Sequence, residues 1–158
     1  ISLSEEDIFL EEILEKTIQS KQIEIKEKKL KVKVPSLKKK TLKMHVDSKK
    51  TQEVFDVVFD NAVRYNKKGG SIKVDIKKKK TRVVCSFEDT GIGISKNDLK
   101  IIYLKFMRGE NANVCNTEGI GLSLYLAKII VESSKGKIWC ESKLNKGTKF
   151  YIELPLAK

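Results

Sequence analysis

The sequence predicts an α/β domain, a two-layer sandwich in which a mixed β-sheet is covered on one face by three helices. Three stretches, around residues 8–18, 54–65 and 122–130, space apolar residues as a helix face does. Shorter stretches alternate apolar and polar residues between turn signals, as half-buried strands do. The chain has 158 residues, 40% of them apolar, which suits one domain with one core. No run nears the length of about 20 apolar residues that crosses a bilayer, and no basic-then-apolar leader precedes the first helical stripe.

Element by element, Ser4-Glu5-Glu6-Asp7 reads as a capping-box start for a first helix carrying Ile8, Ile13, Leu14 and Ile18 as far as Ser20. Residues 23–34, IEIKEKKLKVKV, and the later TLKMHV alternate apolar with charged residues, which predicts two strands in a hairpin or side by side at an edge. Asp47-Ser48 offers a cap for a second helix, whose face holds Val54, Val57, Val58, Ala62 and Tyr65. Gly69-Gly70 ends it, and SIKVDIKK, a lysine turn and TRVVCSFED predict a hairpin. A short helix near residues 96–103 comes next, then a long polar loop. The third long helix follows, with Gly136 as its stop, and KIWCES and KGTKFYIELP close the chain as a hairpin.

The formal charge is +12, but the excess is mostly lysine in runs at 38–40 and 77–80 with few aromatics between, so solvated turns are the expectation and nucleic-acid binding the minor reading. Cys85, Cys115 and Cys140 are odd in number and lack C-x-x-C spacing. They read as thiols of a reducing compartment.

Three polar constellations carry chemistry. Asn61 falls at the edge of the second helix's apolar stripe, where its amide needs a partner, either neighbouring backbone or a ligand. Arg64 and Tyr65 follow it, so one helix offers an oxygen ligand, a cation and a ring, a set suited to a metal ion, a phosphate and a base. In FEDTGIGIS, Asp89 can accept a hydrogen bond from an exocyclic amine while Gly91 and Gly93 turn the chain beneath a flat ring. Gly119, Gly121, Leu122 and Ser123 run into a helix start, where free N–H groups favour phosphate. Each alone is equally a turn or a cap.

Together, and in this order, they resemble the ATP-binding catalytic domain of sensor histidine kinases, within the superfamily shared with type II topoisomerases, heat-shock chaperones and mismatch-repair ATPases. FDNAVRYNKKGG looks like that family's N box, EDTGIGIS its first glycine box, KFMRG around Phe106 its F box, TEGIGLSL its second glycine box and NKGTKF its last motif. The resemblance covers nearly the whole chain. It implies a Bergerat fold with an ATP lid over about residues 107–118, and ATP and Mg²⁺ as ligands. Asn61 would coordinate Mg²⁺, Arg64 would lie near the phosphates and Tyr65 by the adenine. Asp89 would read the adenine amine, with Gly91 and Gly93 shaping the base pocket and Thr148 completing it. Gly119, Gly121, Leu122 and Ser123 would border the phosphates, with Phe106 and Arg108 beside the lid.

The implied reaction is transfer of the γ-phosphate to a histidine on a separate helical domain, in two-component signalling with a downstream response regulator. His45 sits in a strand pattern and is not that histidine. The chain is therefore expected to be one domain, residues 1–158, of a larger cytoplasmic or membrane-anchored homodimer, itself monomeric and without nucleic-acid or membrane contacts. Two departures stand out. Val57 occupies the place of a second Asn, or of Glu in hydrolytic relatives, which argues against an intrinsic ATPase. Glu118 would bring negative charge near the phosphates. Both fit an alternative in which the domain is a degenerate nucleotide-binding regulatory or scaffolding module.

Overall fold

The computed structural model of the chain describes residues 1–102 and 124–158. The expectations for Phe106, Arg108, Gly119, Gly121, Leu122, Ser123, Cys115, Glu118 and the lid lie outside the described residues.

The first helix does not begin at the capping box. Glu6–Phe9 is a strand, β1, and the helix α1 runs Leu10–Gln19. Strand β1 pairs antiparallel with β3, Lys43–Val46, in register Glu6↔Val46 to Phe9↔Lys43, so the apparent cap is consumed by a partner far along the chain. The strand expected over 23–34 is also split. Gln22–Glu27 forms a short helix, α2, with no buried residue, and only Lys31–Lys33 is strand, β2. Between them Lys29 adopts φ 55, a left-handed turn that no glycine announces. Strands β2 and β3 do not form a hairpin; they belong to different sheets.

Helix α3, Ser48–Arg64, begins as the sequence predicts, with the Asp47 carboxylate accepting from the Lys50 N–H at 3.0 Å and from the Ser4 N–H at 2.9 Å. Those N–H bonds hold the Asp47 carboxyl below its usual range. Strands β4, Ser71–Lys78, and β5, Arg82–Asp89, form the expected hairpin, so Lys77 and Lys78 are strand residues and not turn residues. A short helix α4, Lys96–Leu99, starts at Ser95, and α5 is described over Leu124–Ser133. Its stop is Lys135, at φ 62, one residue before Gly136. Strands β6, Lys137–Lys143, and β7, Gly147–Pro155, finish the chain as a hairpin.

The main sheet has strand order β2-β4-β5-β7-β6, with β2 parallel to β4 and the other pairs antiparallel. Helix α3 packs against α1, α5 and β5, which makes it the centre of the helical layer. Its Phe55 and Phe59 meet Phe87 of β5 with ring centroids 6.0 and 6.1 Å apart, in edge-on and tilted contacts that favour the ring quadrupoles. All three rings are fully buried, so α3 is fixed on the central strands and its C-terminal end is held over the C-terminal end of β5. Cys85 is buried on β5 and Cys140 half-buried on β6, both as free thiols. Among the described residues no helix is long and apolar enough to cross a membrane.

Candidate functional site

The last two turns of α3 carry the first constellation. Asn61 is 6% exposed, and neither its Oδ1 nor its Nδ2 has a hydrogen-bond partner among the described residues. Leaving a buried amide unpaired costs about 1–3 kcal/mol, so the backbone-satisfying alternative open to the sequence is not what the fold adopts. One turn on, Tyr65 caps α3. Arg64 lies on the other side, with a guanidinium nitrogen 3.2 Å from Asp60, which also takes the Lys21 ammonium at 2.7 Å. Asp60 is thus buried and paired with two cations. Its partners are the arginine one helix turn on and Lys21, the residue that precedes α2. Asp56 accepts from Gln52 at 3.0 Å.

At the end of β5, Asp89 Oδ1 accepts from the Gly91 N–H at 2.9 Å and from the Thr148 N–H at 3.2 Å. Its Oδ2 accepts nothing from the described residues. Burial pushes the Asp89 carboxyl up to about 6; the two N–H bonds pull the other way, and neighbouring Glu88 adds to the rise. The glycines after it face backbone. A Cβ on Gly91 would collide with the Tyr65 carbonyl, and one on Gly93, at φ 73, with the Lys143 carbonyl. These close approaches let the Ile92 N–H donate to the Tyr65 carbonyl at 3.1 Å and its carbonyl accept from Asn145 at 2.6 Å. The turn is locked between α3 and the β6–β7 turn.

Two residues that sequence reasoning passed over complete the frame. Ser142 Oγ accepts from the Ile94 N–H at 2.8 Å and donates to the Gly147 carbonyl at 2.9 Å, so in its 2.7 Å bond with Thr148 Oγ1 the threonine is the donor. The Asn66 amide accepts from the Lys67 N–H at 2.9 Å and from Thr90 Oγ1 at 3.0 Å, and donates to the Ser71 carbonyl at 3.0 Å. It ties α3 to both strands of the β4–β5 hairpin. The signal for it was present, since an Asn just before Lys-Lys-Gly-Gly suits a turn that bonds its own backbone.

Asn61, Tyr65, Asp89, Gly93 and Thr148 line one cavity with Ile92, Ile94 and Phe150. Five of the predicted site residues, from three separate segments, are therefore together; Gly91 and Arg64 adjoin the cavity without lining it. It encloses about 20 Å³, a water-sized space with a mostly apolar lining into which the few polar groups are set. Its donor set fits a hard cation only in part. No group of three or more His, Cys, Asp or Glu among the described residues could hold a metal, so an ion here would use the Asn61 oxygen with ligands from outside the protein, as Mg²⁺ commonly does. His45 is exposed on β3, 2.8 Å from Asp7 and 3.5 Å from Glu5, and does not line the cavity.

Comparison with known proteins decides the family. The family of histidine kinase-, DNA gyrase B- and HSP90-like ATPases matches residues 46–158. The chain belongs to this ATPase family. Sensor protein RprX of Bacteroides fragilis is 39% identical over 110 residues, which are 68% of this chain and 21% of that protein. Sensor histidine kinase WalK of Bacillus subtilis is 33% identical over 112 residues, 70% of this chain and 18% of that protein. The chain thus spans about a fifth of the curated relatives it matches. Among solved structures, the catalytic domain of histidine kinase ThkA superposes with a TM-score of 0.79 at 21% identity, covering 96% of this chain and 95% of that one. Full-length ShkA in complex with AMPPNP gives 0.79 at 21% identity, over 100% of this chain and 32% of that one. These likenesses show the histidine-kinase catalytic-domain fold.

Proposed function

We propose that this ATPase-family domain binds Mg·ATP and presents the γ-phosphate to a histidine on a separate helical domain of the same cytoplasmic or membrane-anchored parent, in two-component signalling. The observation that carries the reading is the orphaned Asn61 amide beside the Asp89 carboxylate in one cavity. An amide left unpaired at a cost, next to a carboxylate with one oxygen unused, is a site prepared for a ligand that supplies both a cation and an amine. Two solved relatives support the choice: ShkA carries AMPPNP, and ThkA has been crystallised with the response regulator TrrA. A response regulator is accordingly the downstream partner proposed here.

In this reading Asp89 Oδ2 accepts the adenine amine, while the N–H groups on Oδ1 keep the carboxylate oriented. Tyr65 packs by the base and Thr148 closes its far side. The Asn61 oxygen holds Mg²⁺, whose charge offsets that of the phosphates. Arg64 lies near the phosphates once it shares Asp60 with Lys21. Val57, one turn before Asn61, is fully buried in the core, so that position offers no carboxylate to activate water, and Asp60 is engaged by Lys21 and Arg64. A neutral imidazole needs no such base to attack phosphorus, and phosphoryl transfer depends chiefly on positioning and charge neutralisation. That combination favours a kinase over a hydrolase.

The test is calorimetric titration of the chain with AMPPNP, with and without Mg²⁺, beside Asn61→Ala. Magnesium-dependent binding that the variant loses, with its melting temperature within a few degrees of the parent's, is the expected result. Equal, magnesium-independent binding by both would overturn the assignment of Asn61. Binding without transfer to a supplied phosphoacceptor domain would favour the regulatory module instead.

A further inference from the structure

A helix end leaves carbonyls that something must satisfy. At the end of α3 the Asn61 carbonyl accepts from the Tyr65 N–H at 3.1 Å, the Val63 carbonyl from the Asn66 N–H at 3.3 Å and the Tyr65 carbonyl from Ile92 at 3.1 Å, and one side chain gathers three carbonyls more closely. Lys28 Nζ donates to the carbonyls of Val63 at 3.0 Å, Arg64 at 2.6 Å and Asn66 at 3.0 Å. An ammonium has three N–H donors, and here each has a backbone acceptor at the negative end of a helix. Burial, and then the nearby Arg64 guanidinium, lower the pKa of this lysine, so the contact is a demanding one that only the converging carbonyls sustain.

Lys28 is also the C-cap of α2, a helix that buries no residue. At the other end of α2, Lys21 pairs with Asp60 of α3 at 2.7 Å. The Gly69 N–H donates to the Lys28 carbonyl at 2.8 Å, and Lys31 to the Gly70 carbonyl at 3.0 Å. Helix α2 sets Ile25, partly buried, against the core, and two lysines fasten its ends to the end of α3. The segment so fastened includes Tyr65, which lines the cavity and whose carbonyl holds the turn that contributes Ile92 and Gly93.

We infer that Lys28 is a positioning residue of the nucleotide site: by gathering the carbonyls of Val63, Arg64 and Asn66 it sets the turn that aims Tyr65 into the cavity and fixes the spacing between α3 and residues 92–94. This rests on the nucleotide-binding function proposed above. A lysine acting only as a helix cap would alter stability and leave that spacing, and hence affinity, unchanged.

The experiment compares Lys28→Met, which keeps the stem and removes the ammonium, with Lys28→Arg and with Ile13→Val, a core change in α1 outside the cavity. Each is titrated with Mg·AMPPNP well below its melting temperature, and exchange of the Ile92 amide is followed by NMR. We expect Lys28→Met to weaken binding at least fivefold and to speed Ile92 exchange at least tenfold. Lys28→Arg should recover part of both, and Ile13→Val should leave both at parental levels. If Lys28→Met matches Ile13→Val in affinity and in Ile92 exchange, the inference fails; should that variant not fold, parental affinity and exchange in Lys28→Arg and Lys28→Gln would defeat it equally. No binding by the unmodified chain overturns the nucleotide reading as well, whereas binding by the parent and undiminished binding by Lys28→Met overturns this inference alone.

Discussion

Replacing Asp89 by Asn separates what the site costs from what it does. Asparagine keeps an oxygen for the Gly91 and Thr148 N–H groups and removes the buried charge. The Asp89 carboxyl titrates at about 6 against an ordinary 3.8. Its folded-state pKa is raised, so ionisation opposes folding. The penalty is complete above about pH 6, fades as pH falls, and is gone below the ordinary value. At about 1.4 kcal/mol per pH unit, the gap amounts to about 3 kcal/mol. The Gly91 and Thr148 N–H bonds are already counted in that gap, so the net gain at pH 7.5 is about 3 kcal/mol. For a chain of this size that is about 6–12 °C in melting temperature. The assay is thermal unfolding of both proteins at pH 7.5 and pH 4, with calorimetric titration of Mg·AMPPNP at pH 7.5. The variant should be more stable at pH 7.5, indistinguishable at pH 4, and about 10–100-fold weaker for nucleotide, because an amide NH₂ would face the adenine amine. An equal advantage at both pH values, or a loss at pH 7.5, would refute the account of Asp89 as a carboxylate held charged against its burial.

The same carboxylate makes nucleotide affinity pH-dependent: binding by the unmodified chain should fall below about pH 6, by up to tenfold per pH unit, since the proton and the adenine amine compete for one oxygen. Titrations between pH 5 and 8 check this, and a flat profile would count against it. Gly93→Ala should lose about 1–3 kcal/mol in urea unfolding, because it combines φ 73 with a collision at the Lys143 carbonyl. Gly69→Ala, at φ 77 with nothing near the added Cβ, should lose only about 1 kcal/mol.

What the sequence made legible depended on whether the deciding partner was local. Asp47 caps α3 through a residue three positions on, Gly69-Gly70 marks the break between α3 and β4, and Asn145-Lys146-Gly147 marks the β6–β7 turn, so these elements were readable with their boundaries. The first 46 residues were less so. Glu6–Phe9 is a strand only because Lys43–Val46 lies alongside it, and Gln22–Glu27 is a helix because Lys29 takes a left-handed conformation that its side chain gives no reason to expect. At the site, Asn61, Tyr65, Asp89, Gly93 and Thr148 were readable only as parts of an ordered set of motifs that resembles a known family, since each alone is equally a turn or a cap; the five share the cavity. Lys28 and Asp60 were not, since a lysine among 33 basic residues carries no mark of the three carbonyls that wait for it.

The turns around the cavity meet main chain to main chain: Gly91 against Tyr65, Gly93 against Lys143, and Gly147 against Asp89, with no side chain between them. Interlocked backbones cannot be adjusted one rotamer at a time. Anyone grafting the pocket of a relative onto this scaffold would have to move residues 61–66, 89–94 and 142–148 as one unit. A chimera that exchanged a single segment would carry a misfit that no neighbouring side chain is placed to absorb. Phe150 lines the cavity outside these three segments and is free of that constraint, so a redesign of ligand preference would begin there.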